Sequence, residues 1–276
     1  MKISYTTLAC PEWDLKRICA QAVSAGYDGI DFRGYLDQID ISQHALFQRD
    51  QAGKMIQEFG LEVSGVSSSI KICDTPNQAA ALEEARRTIE VCQRLQAKHV
   101  RVFGGGDSEN LSRETLANAG RDTMEKILQI DGAQGISWDF ETHDVWIGAK
   151  DCKLLLELIP FPQFNILWDM GNSFMFSQES AETIWEQIGE RMVYSHIKDA
   201  VYRPDEAGTH YNGWRYVMPG TGELPLAEAV RVLNANGYQG WFVLEHEKRW
   251  HSDLAAPEEV LPVYAEWMRS LLEKTD

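Results

Sequence analysis

The chain has 276 residues, of which 42 are acidic and 26 basic, and its formal net charge is −16 at pH 7. This length can bury one large core, and single α/β domains of this size are common. A chain this acidic repels nucleic-acid backbones and anionic membrane surfaces. We therefore expect neither as a partner, and we expect a small-molecule partner instead.

The cysteine usage and the N-terminal segment both bear on the compartment. The five cysteines are odd in number, widely spaced and without a C-x-x-C pair, which is typical of a reduced, intracellular protein. The stretch MKISYTTLAC lacks the long apolar region of a signal peptide, and no apolar run reaches the ~18 residues of a membrane span. We therefore expect a soluble cytoplasmic protein.

The first half of the chain alternates between short apolar or β-branched runs and longer segments of helical period. Four helices are predicted over residues 14–25, 42–59, 77–96 and 112–130, after the runs KISYTTL, GIDFR, LEVSGVSSS and HVRVFGG. Gly26 and Gly60 end the first two helices, as glycine commonly does. Each run and its helix form a βα unit.

The second half repeats this scheme, with four further runs: ISWDFETH, FNILWDM, MVYSHIKD and WFVLEHE. A helix is predicted after the first run, and three others over residues 181–188, 225–236 and 257–272. Eight strands alternating with eight helices favour a (β/α)8 TIM barrel of the α/β class, whereas a doubly wound open sheet usually needs fewer units. No linker interrupts the pattern, so we expect one domain over residues 1–276.

The segment over residues 200–223 is longer than an ordinary βα loop. Such segments in compact domains are usually lids or binding loops. It carries Arg203, His210, Tyr211, Trp214, Arg215 and Tyr216. Of these, Arg203, His210 and Arg215 are candidates for lining the pocket. The alternative interpretation is a surface excursion that is packed by its own aromatic side chains.

Four acidic or imidazole side chains stand where consecutive strands of the predicted barrel end: Glu141, Asp169, His196 and Glu245. Active sites of such barrels lie at this end, so these groups should converge. Taken singly, each acid fits a helix cap or a solvated loop, and the histidine fits the core. Three carboxylates and an imidazole cannot converge unpaired, and a divalent cation resolves the repulsion. Oxygen-rich ligation favours one Mn²⁺ or Mg²⁺, with Zn²⁺ or Co²⁺ as alternatives.

Other polar residues near these strand ends are candidates for binding a substrate. His143 and Lys198 lie two residues beyond ligand positions on the same strand faces, although Lys198 fits a structural bridge to an acid equally well. Further candidates for lining the pocket are Ser67, Trp168 and Arg203. Arg101 should lie inside the barrel and pair with Asp139 or Glu141.

Five segments give the chain a resemblance to the sugar phosphate isomerase/epimerase superfamily of xylose isomerase-like TIM barrels. They are FETHD at 140–144, WDMGN at 168–172, SHIKD at 195–199, PGTGELP at 219–225 and LEHEKRWH at 244–251. The resemblance implies metal ligands at the four strand-end positions, and it implies that Glu141 and Glu245 also act as the catalytic acid/base pair. Many members have histidine where this chain has Asn172, which can hydrogen-bond a substrate hydroxyl but is a poor zinc ligand.

The resemblance implies a metal-dependent isomerase or epimerase of carbohydrate metabolism. It would act on a small keto-sugar or polyol ketone by proton abstraction through a metal-bound enediolate. The nearest alternative is a lyase that dehydrates a β-hydroxy-ketone such as an inosose or 3-dehydroshikimate. An abasic-site endonuclease, which Asn172 and the acidic charge weigh against, and a non-catalytic sugar-binding barrel are further alternatives. The resemblance also implies a homo-oligomer, either a dimer or a tetramer. Substrate identity stays open, because specificity resides in the βα loops.

Overall fold

Eight parallel strands close into a barrel in the computed structural model, which describes residues 1–273. Their bounds are β1 Lys2–Thr6, β2 Gly29–Phe32, β3 Glu62–Lys71, β4 His99–Phe103, β5 Ser137–Glu141, β6 Phe164–Asp169, β7 Met192–Ile197 and β10 Trp241–Leu244. Around the ring the order is β1, β10, β7, β6, β5, β4, β3, β2. The predicted single-domain (β/α)8 barrel is confirmed, and residues 274–276 of the predicted domain lie outside the described residues.

Helices surround the barrel and bury its outer face. They are α1 Leu15–Ala25, α2 Gln51–Glu58, α3 Gln78–Leu95, α4 Arg113–Leu128, α5 Ala149–Leu158, the short α6 Met170–Asn172, α7 Ala181–Ile188, α8 Leu226–Ala235 and α9 Pro257–Glu273. Since both faces of each strand are covered, β2 and β10 are buried at every position. Inside this shell, Gly29 allows β2 to lie close to β3, because a Cβ there would stand 2.7 Å from the Glu62 carbonyl oxygen.

Helix ends follow the chemistry that the sequence predicts. The Asp14 side chain accepts a hydrogen bond from the Arg17 amide at 2.8 Å, and Gly26 ends α1 in the left-handed conformation. The helix predicted over 42–59 is wrong in its first half. There the Asp40 carboxylate accepts from the Ser42 amide and hydroxyl, which closes a short 3-10 turn instead, and α2 begins only at Gln51.

The long segment after β7 contains an antiparallel hairpin that the sequence interpretation missed. Its strands are β8 Asp199–Tyr202 and β9 Trp214–Val217, paired from Asp199 opposite Val217 to Tyr202 opposite Trp214. The Asp199 carboxylate anchors the following loop by accepting hydrogen bonds from the amides of Gly220 at 2.9 Å and Gly222 at 2.8 Å. The hairpin therefore projects from the barrel mouth as an ordered element.

Two features bear on the expected environment. Within residues 1–273, no helix is long and apolar enough to cross a membrane. The five cysteines are all buried and free of disulfides.

Candidate metal centre and substrate cavity

Four side chains meet at the mouth of the barrel, each from a different strand end. Glu141 and Asp169 are the last residues of β5 and β6, His196 is near the end of β7, and Glu245 follows β10. One ligand atom from each lies within 4.8 Å of the others. They come together because β5, β6, β7 and β10 are neighbours in the ring, with Asp169 paired directly to His196. We call these four residues the acidic cluster.

The acidic cluster has the donor set of a divalent-cation site. Its members are at most 7% exposed. His196 Nδ1 lies 3.3 Å from Glu141 Oε1 and 3.3 Å from Glu245 Oε1. His196 Nε2 is buried and makes no hydrogen bond with any described residue, and Asp169 Oδ2 lies 2.7 Å from the Lys198 ammonium. Three carboxylates and one imidazole in this arrangement could hold a divalent cation of the oxygen-preferring kind.

The electrostatics of the acidic cluster reflect how tightly its charges are packed. Burial raises the pKa of Asp169 to about 7 in spite of the nearby Lys198 cation. Burial alone would lower the pKa of His196, but Glu245 and Glu141 raise it to about 10. Burial also opposes ionisation of Glu141, yet the Arg101 cation and the His196 imidazole together outweigh it and hold that pKa well below the usual range. The pKa values of neighbouring groups are thus driven apart.

Lys198 supplies the principal positive charge beside the acidic cluster. Its Nζ lies 2.5 Å from Glu245 Oε2, 2.7 Å from Asp169 Oδ2 and 3.1 Å from Glu247 Oε1. The side chain passes over Gly171, where a Cβ would stand 2.4 Å from Lys198 Cγ. Only glycine leaves room for this passage. The bridging role that the sequence left open for Lys198 is therefore observed, and the same side chain also lines the cavity.

Arg101 compensates the opposite end of the acidic cluster. Its Nη1 lies 2.5 Å from Glu141 Oε2, and the guanidinium sits 3.8 Å from the centre of the Phe103 ring. Of the two predicted partners, the structure selects Glu141, because Asp139 lies 2.7 Å from His99 Nδ1 instead. The guanidinium is thus positioned to keep Glu141 ionised.

A cavity of about 460 Å³ opens directly above the acidic cluster, a size that suits a small organic ligand. Its lining residues are Leu8, Arg33, Arg101, Phe103, Glu141, His143, Asp144, Ile147, Asn172, Phe176, Lys198, Tyr211, Asn212, Tyr216, Glu245, Glu247 and Trp250. Charged side chains and aromatic or aliphatic side chains therefore line the cavity together. Such a site can bind a polyhydroxylated carbonyl compound and exchange protons at its carbons.

Three of the six predicted substrate-binding residues line this cavity: His143, Asn172 and Lys198. The other three do not lie in its wall. Ser67 is buried and donates a hydrogen bond to Asp31 at 3.0 Å. Trp168 is fully buried and donates to Ser173 Oγ at 3.0 Å. Arg203 pairs with Glu223 at 2.8 Å on the hairpin surface.

Several lining residues were not found from the sequence. Arg33 is the last residue of the GIDFR run, and the rule that polar residues at strand ends face the site would have found it. Trp250 and Phe176 carry no signal of this kind. Glu247 lines the cavity as well. It lies 3.6 Å from His251 Nε2, but its closer partners are Lys198 and, at 3.2 Å, the Tyr216 hydroxyl.

Comparison with known proteins places this geometry in context. The chain is 22% identical over 267 residues to fructoselysine 3-epimerase of Shigella flexneri, which covers 89% of this chain and 90% of the relative. A crystal structure of the IOLI protein with a zinc atom superposes with a TM-score of 0.81 at 16% identity, over 100% of this chain and 99% of the other. A probable 3-DHS dehydratase from Bacillus anthracis superposes with a TM-score of 0.77 at 16% identity, over 98% and 99%. Residues 19–271 match the profile of the xylose isomerase-like TIM barrel, and the chain therefore belongs to that family.

Proposed function

We propose that this protein is a divalent-metal-dependent epimerase or isomerase that acts on a small keto-sugar or polyol ketone. The observation that carries the proposal is the pair of glutamates, Glu141 and Glu245, which join Asp169 and His196 in one buried cluster beneath a cavity of ligand size. Its membership of an enzyme family with sugar epimerases among its relatives supports the same class.

The acidic cluster would supply the metal ligands, namely Glu141, Asp169, His196 and Glu245. A divalent ion held there would polarise the carbonyl group and stabilise the negative charge that develops on its oxygen. Mn²⁺ and Mg²⁺ suit the oxygen-rich donor set best, with Zn²⁺ and Co²⁺ as the alternatives.

The two glutamates would move the proton. Glu141 and Glu245 stand at the two ends of the arc formed by β5, β6, β7 and β10, so they approach a bound ketone from different sides. Arg101 and Lys198 hold their pKa values below the usual range against the effect of burial, so both carboxylates start ionised. Glu245 takes the proton from the carbon beside the carbonyl. In an epimerase Glu141 would take up a proton from water in the cavity and deliver it to the opposite face, and Glu245 would release its proton to water. In an isomerase Glu245 would return its proton to the adjacent carbon.

Polar side chains in the wall would orient the substrate. The Asn172 amide and the His143 imidazole offer hydrogen bonds to hydroxyl groups, and both line the cavity. Lys198 Nζ lies beside Glu245 and would donate to the substrate oxygen on which charge develops. Such donors fix which carbon faces the glutamates.

A dehydratase is the second candidate function, and the position of Lys198 favours it. A β-hydroxyl group needs a proton when it leaves, and a buried ammonium that lines the cavity next to Glu245 could give one. The first step is the same proton abstraction. The two functions therefore differ only in whether water is lost.

Solvent-exchange measurements would test the proposed first step. The protein, loaded with Mn²⁺, is incubated in D₂O with a panel of ketoses and polyol ketones, and proton NMR follows deuterium incorporation beside the carbonyl. We expect exchange with at least one compound, and we expect Glu245→Gln to reduce its rate by about 10²-fold or more. A product that keeps the elements of water identifies an epimerase or isomerase, whereas loss of water with a new conjugated ultraviolet absorber identifies a dehydratase.

The matched control is Glu223→Gln, which changes an exposed glutamate on the hairpin side, away from the cavity. It should exchange at the parent rate. If no ketone exchanges deuterium faster with protein than without, or if Glu245→Gln and Glu223→Gln exchange alike, the proposed chemistry is wrong.

A further inference from the structure

Arg33 is the charged side chain of the cavity wall that has no ion pair with any residue in the described range 1–273. The other charged groups of the wall are paired among themselves, in the sets Glu141 with Arg101, Glu245 and Glu247 with Lys198, and Asp144 with His143. Each of these groups has an oppositely charged partner within 4 Å, whereas the guanidinium of Arg33 has none among the described residues. An anionic group of a ligand would therefore find this guanidinium free to pair with it.

The guanidinium of Arg33 is held so that one edge stays available. Its Nη1 donates to Ser69 Oγ at 2.9 Å and to the Ser67 carbonyl oxygen at 3.3 Å. The backbone is fixed as well, because the Arg33 amide donates to Thr7 Oγ1 at 3.0 Å. Nε and Nη2 make no hydrogen bond with any described residue. That edge presents two parallel N–H groups, which match the two oxygens of a carboxylate.

The surroundings make the unpaired charge costly. Burial, followed by repulsion from Arg101, lowers the pKa of Arg33 to about 9. A partly buried cation that lacks a partner gains more from an anion than a solvated cation does. The geometry and the electrostatics of this residue therefore favour the same kind of ligand.

The position of Arg33 in the ring says which part of a substrate would reach it. Arg33 follows β2, and β2 lies opposite β6, the strand that ends in Asp169. The acidic cluster occupies the half of the barrel mouth formed by β5, β6, β7 and β10. A substrate lying across the cavity would place its reacting carbons at the acidic cluster and its far end at Arg33.

We infer that Arg33 binds a carboxylate at the end of the substrate remote from the reacting carbons, so that the substrate is a keto-sugar acid or a cyclic keto-polyol acid. The ketone in this inference rests on the proposed function, whereas the carboxylate rests on Arg33 alone. A carboxylate fits better than a phosphate, because one guanidinium edge satisfies two oxygens, and the described wall offers no second free cation for a dianion.

Ligands without a ketone test the carboxylate separately from the chemistry. Isothermal titration of the purified protein compares D-gluconate, a sugar acid, with D-glucitol, the neutral polyol of the same length, and with D-glucitol 6-phosphate. We expect gluconate to bind at least about tenfold more tightly than glucitol, because charge-assisted hydrogen bonds to a partly buried guanidinium are strong. Equal affinities for gluconate and glucitol would overturn the inference. Tighter binding of D-glucitol 6-phosphate than of gluconate would also overturn it, because the site would then prefer a phosphate to a carboxylate.

Variants of Arg33 then test whether this residue causes the preference for gluconate over glucitol. Arg33→Gln should reduce the gluconate preference to about twofold or less, and Arg33→Lys should restore part of it, since charge returns without the fork. The control is Arg86→Gln, which removes an exposed arginine of α3 that pairs with Glu83, and it should keep the full preference. A preference that survives in folded Arg33→Gln would place the anion elsewhere and overturn the inference.

The two proposals fail in different ways. Gluconate and glucitol cannot be enolised, so their binding does not require epimerase chemistry. Selective binding of gluconate without deuterium exchange on any ketone would contradict the proposed function and leave the Arg33 site standing. Exchange on D-fructose and D-fructuronate at equal kcat/KM, with no loss in Arg33→Gln, would contradict the Arg33 site alone.

Discussion

The ammonium of Lys198 lies 2.5 Å from the carboxylate of Glu245, and both groups are buried. The same ammonium also serves Asp169 and Glu247, so one lysine compensates three carboxylates. Removing one partner of a buried ion pair leaves an uncompensated charge in a medium of low polarity, which costs far more than the net contribution of an intact pair.

Lys198→Met should therefore lower the free energy of unfolding of the metal-free protein by about 3–5 kcal/mol, measured by urea denaturation. The matched control is Arg86→Met, which breaks an exposed pair with Glu83 and should change stability by less than about 0.5 kcal/mol. Equal losses in the two variants would mean that Lys198 is not the compensating charge.

Gly171 should tolerate no side chain, because a Cβ there would lie 2.4 Å from Lys198 Cγ and 3.2 Å from the Lys198 carbonyl oxygen. We expect Gly171→Ala to destabilise the protein by about 1–3 kcal/mol through overpacking. Gly135→Ala is the control, since a Cβ at that exposed position meets nothing within 4 Å. Thermal denaturation compares the two, and an unchanged midpoint in Gly171→Ala would contradict the close approach.

The cysteines should be chemically inert in the folded protein. Burial raises the pKa of Cys19, Cys73 and Cys92 to about 12 and shifts the pKa values of Cys10 and Cys152 upward as well, so the reactive thiolate is scarce. A chromogenic disulfide reagent should label all five thiols in concentrated guanidinium and almost none in buffer. Rapid labelling of a native thiol would show that the shell of helices opens locally at that cysteine.

The barrel and the acidic cluster could be predicted from the sequence for one physical reason. Parallel strands buried on both faces appear as apolar runs, and the residue that ends each run lies at the same rim of the barrel. FNILWD followed by a helical turn illustrates this, because Asp169 ends the run and accepts a hydrogen bond from the Asn172 amide at 2.9 Å. Glu141 and His196 likewise lie at or near the end of a buried strand and at the same rim of the barrel.

The sequence predicts substrate binding by Trp168 and Arg203, but neither side chain lines the cavity, because each points in another direction. Trp168 precedes Asp169, and side chains alternate along a strand, so its indole faces the helices and is buried there. Arg203 belongs to a hairpin whose pairing the sequence did not reveal, and this pairing directs it to Glu223. Arg33, in contrast, lines the cavity although it is not among the residues predicted to bind substrate. Its free guanidinium edge depends on Ser67 and Ser69 of the next strand, which no local pattern reveals.

Metal analysis of ligand variants tests the acidic cluster itself. We expect about one divalent ion per chain after loading with Mn²⁺, and substoichiometric metal in Asp169→Asn and His196→Ala, because each substitution removes one of the four converging donor groups and the remaining donors are too few. Chelator-treated parent protein should unfold at a lower temperature than loaded protein, since an ion that binds only the folded state stabilises it. Glu223→Gln, which alters an exposed carboxylate, should retain both the metal and the thermal shift. A parent protein that takes up no ion from Mn²⁺, Mg²⁺, Zn²⁺ or Co²⁺ would contradict the metal site, and Lys198 and Arg101 would then be the cations that compensate the three acids of the cluster.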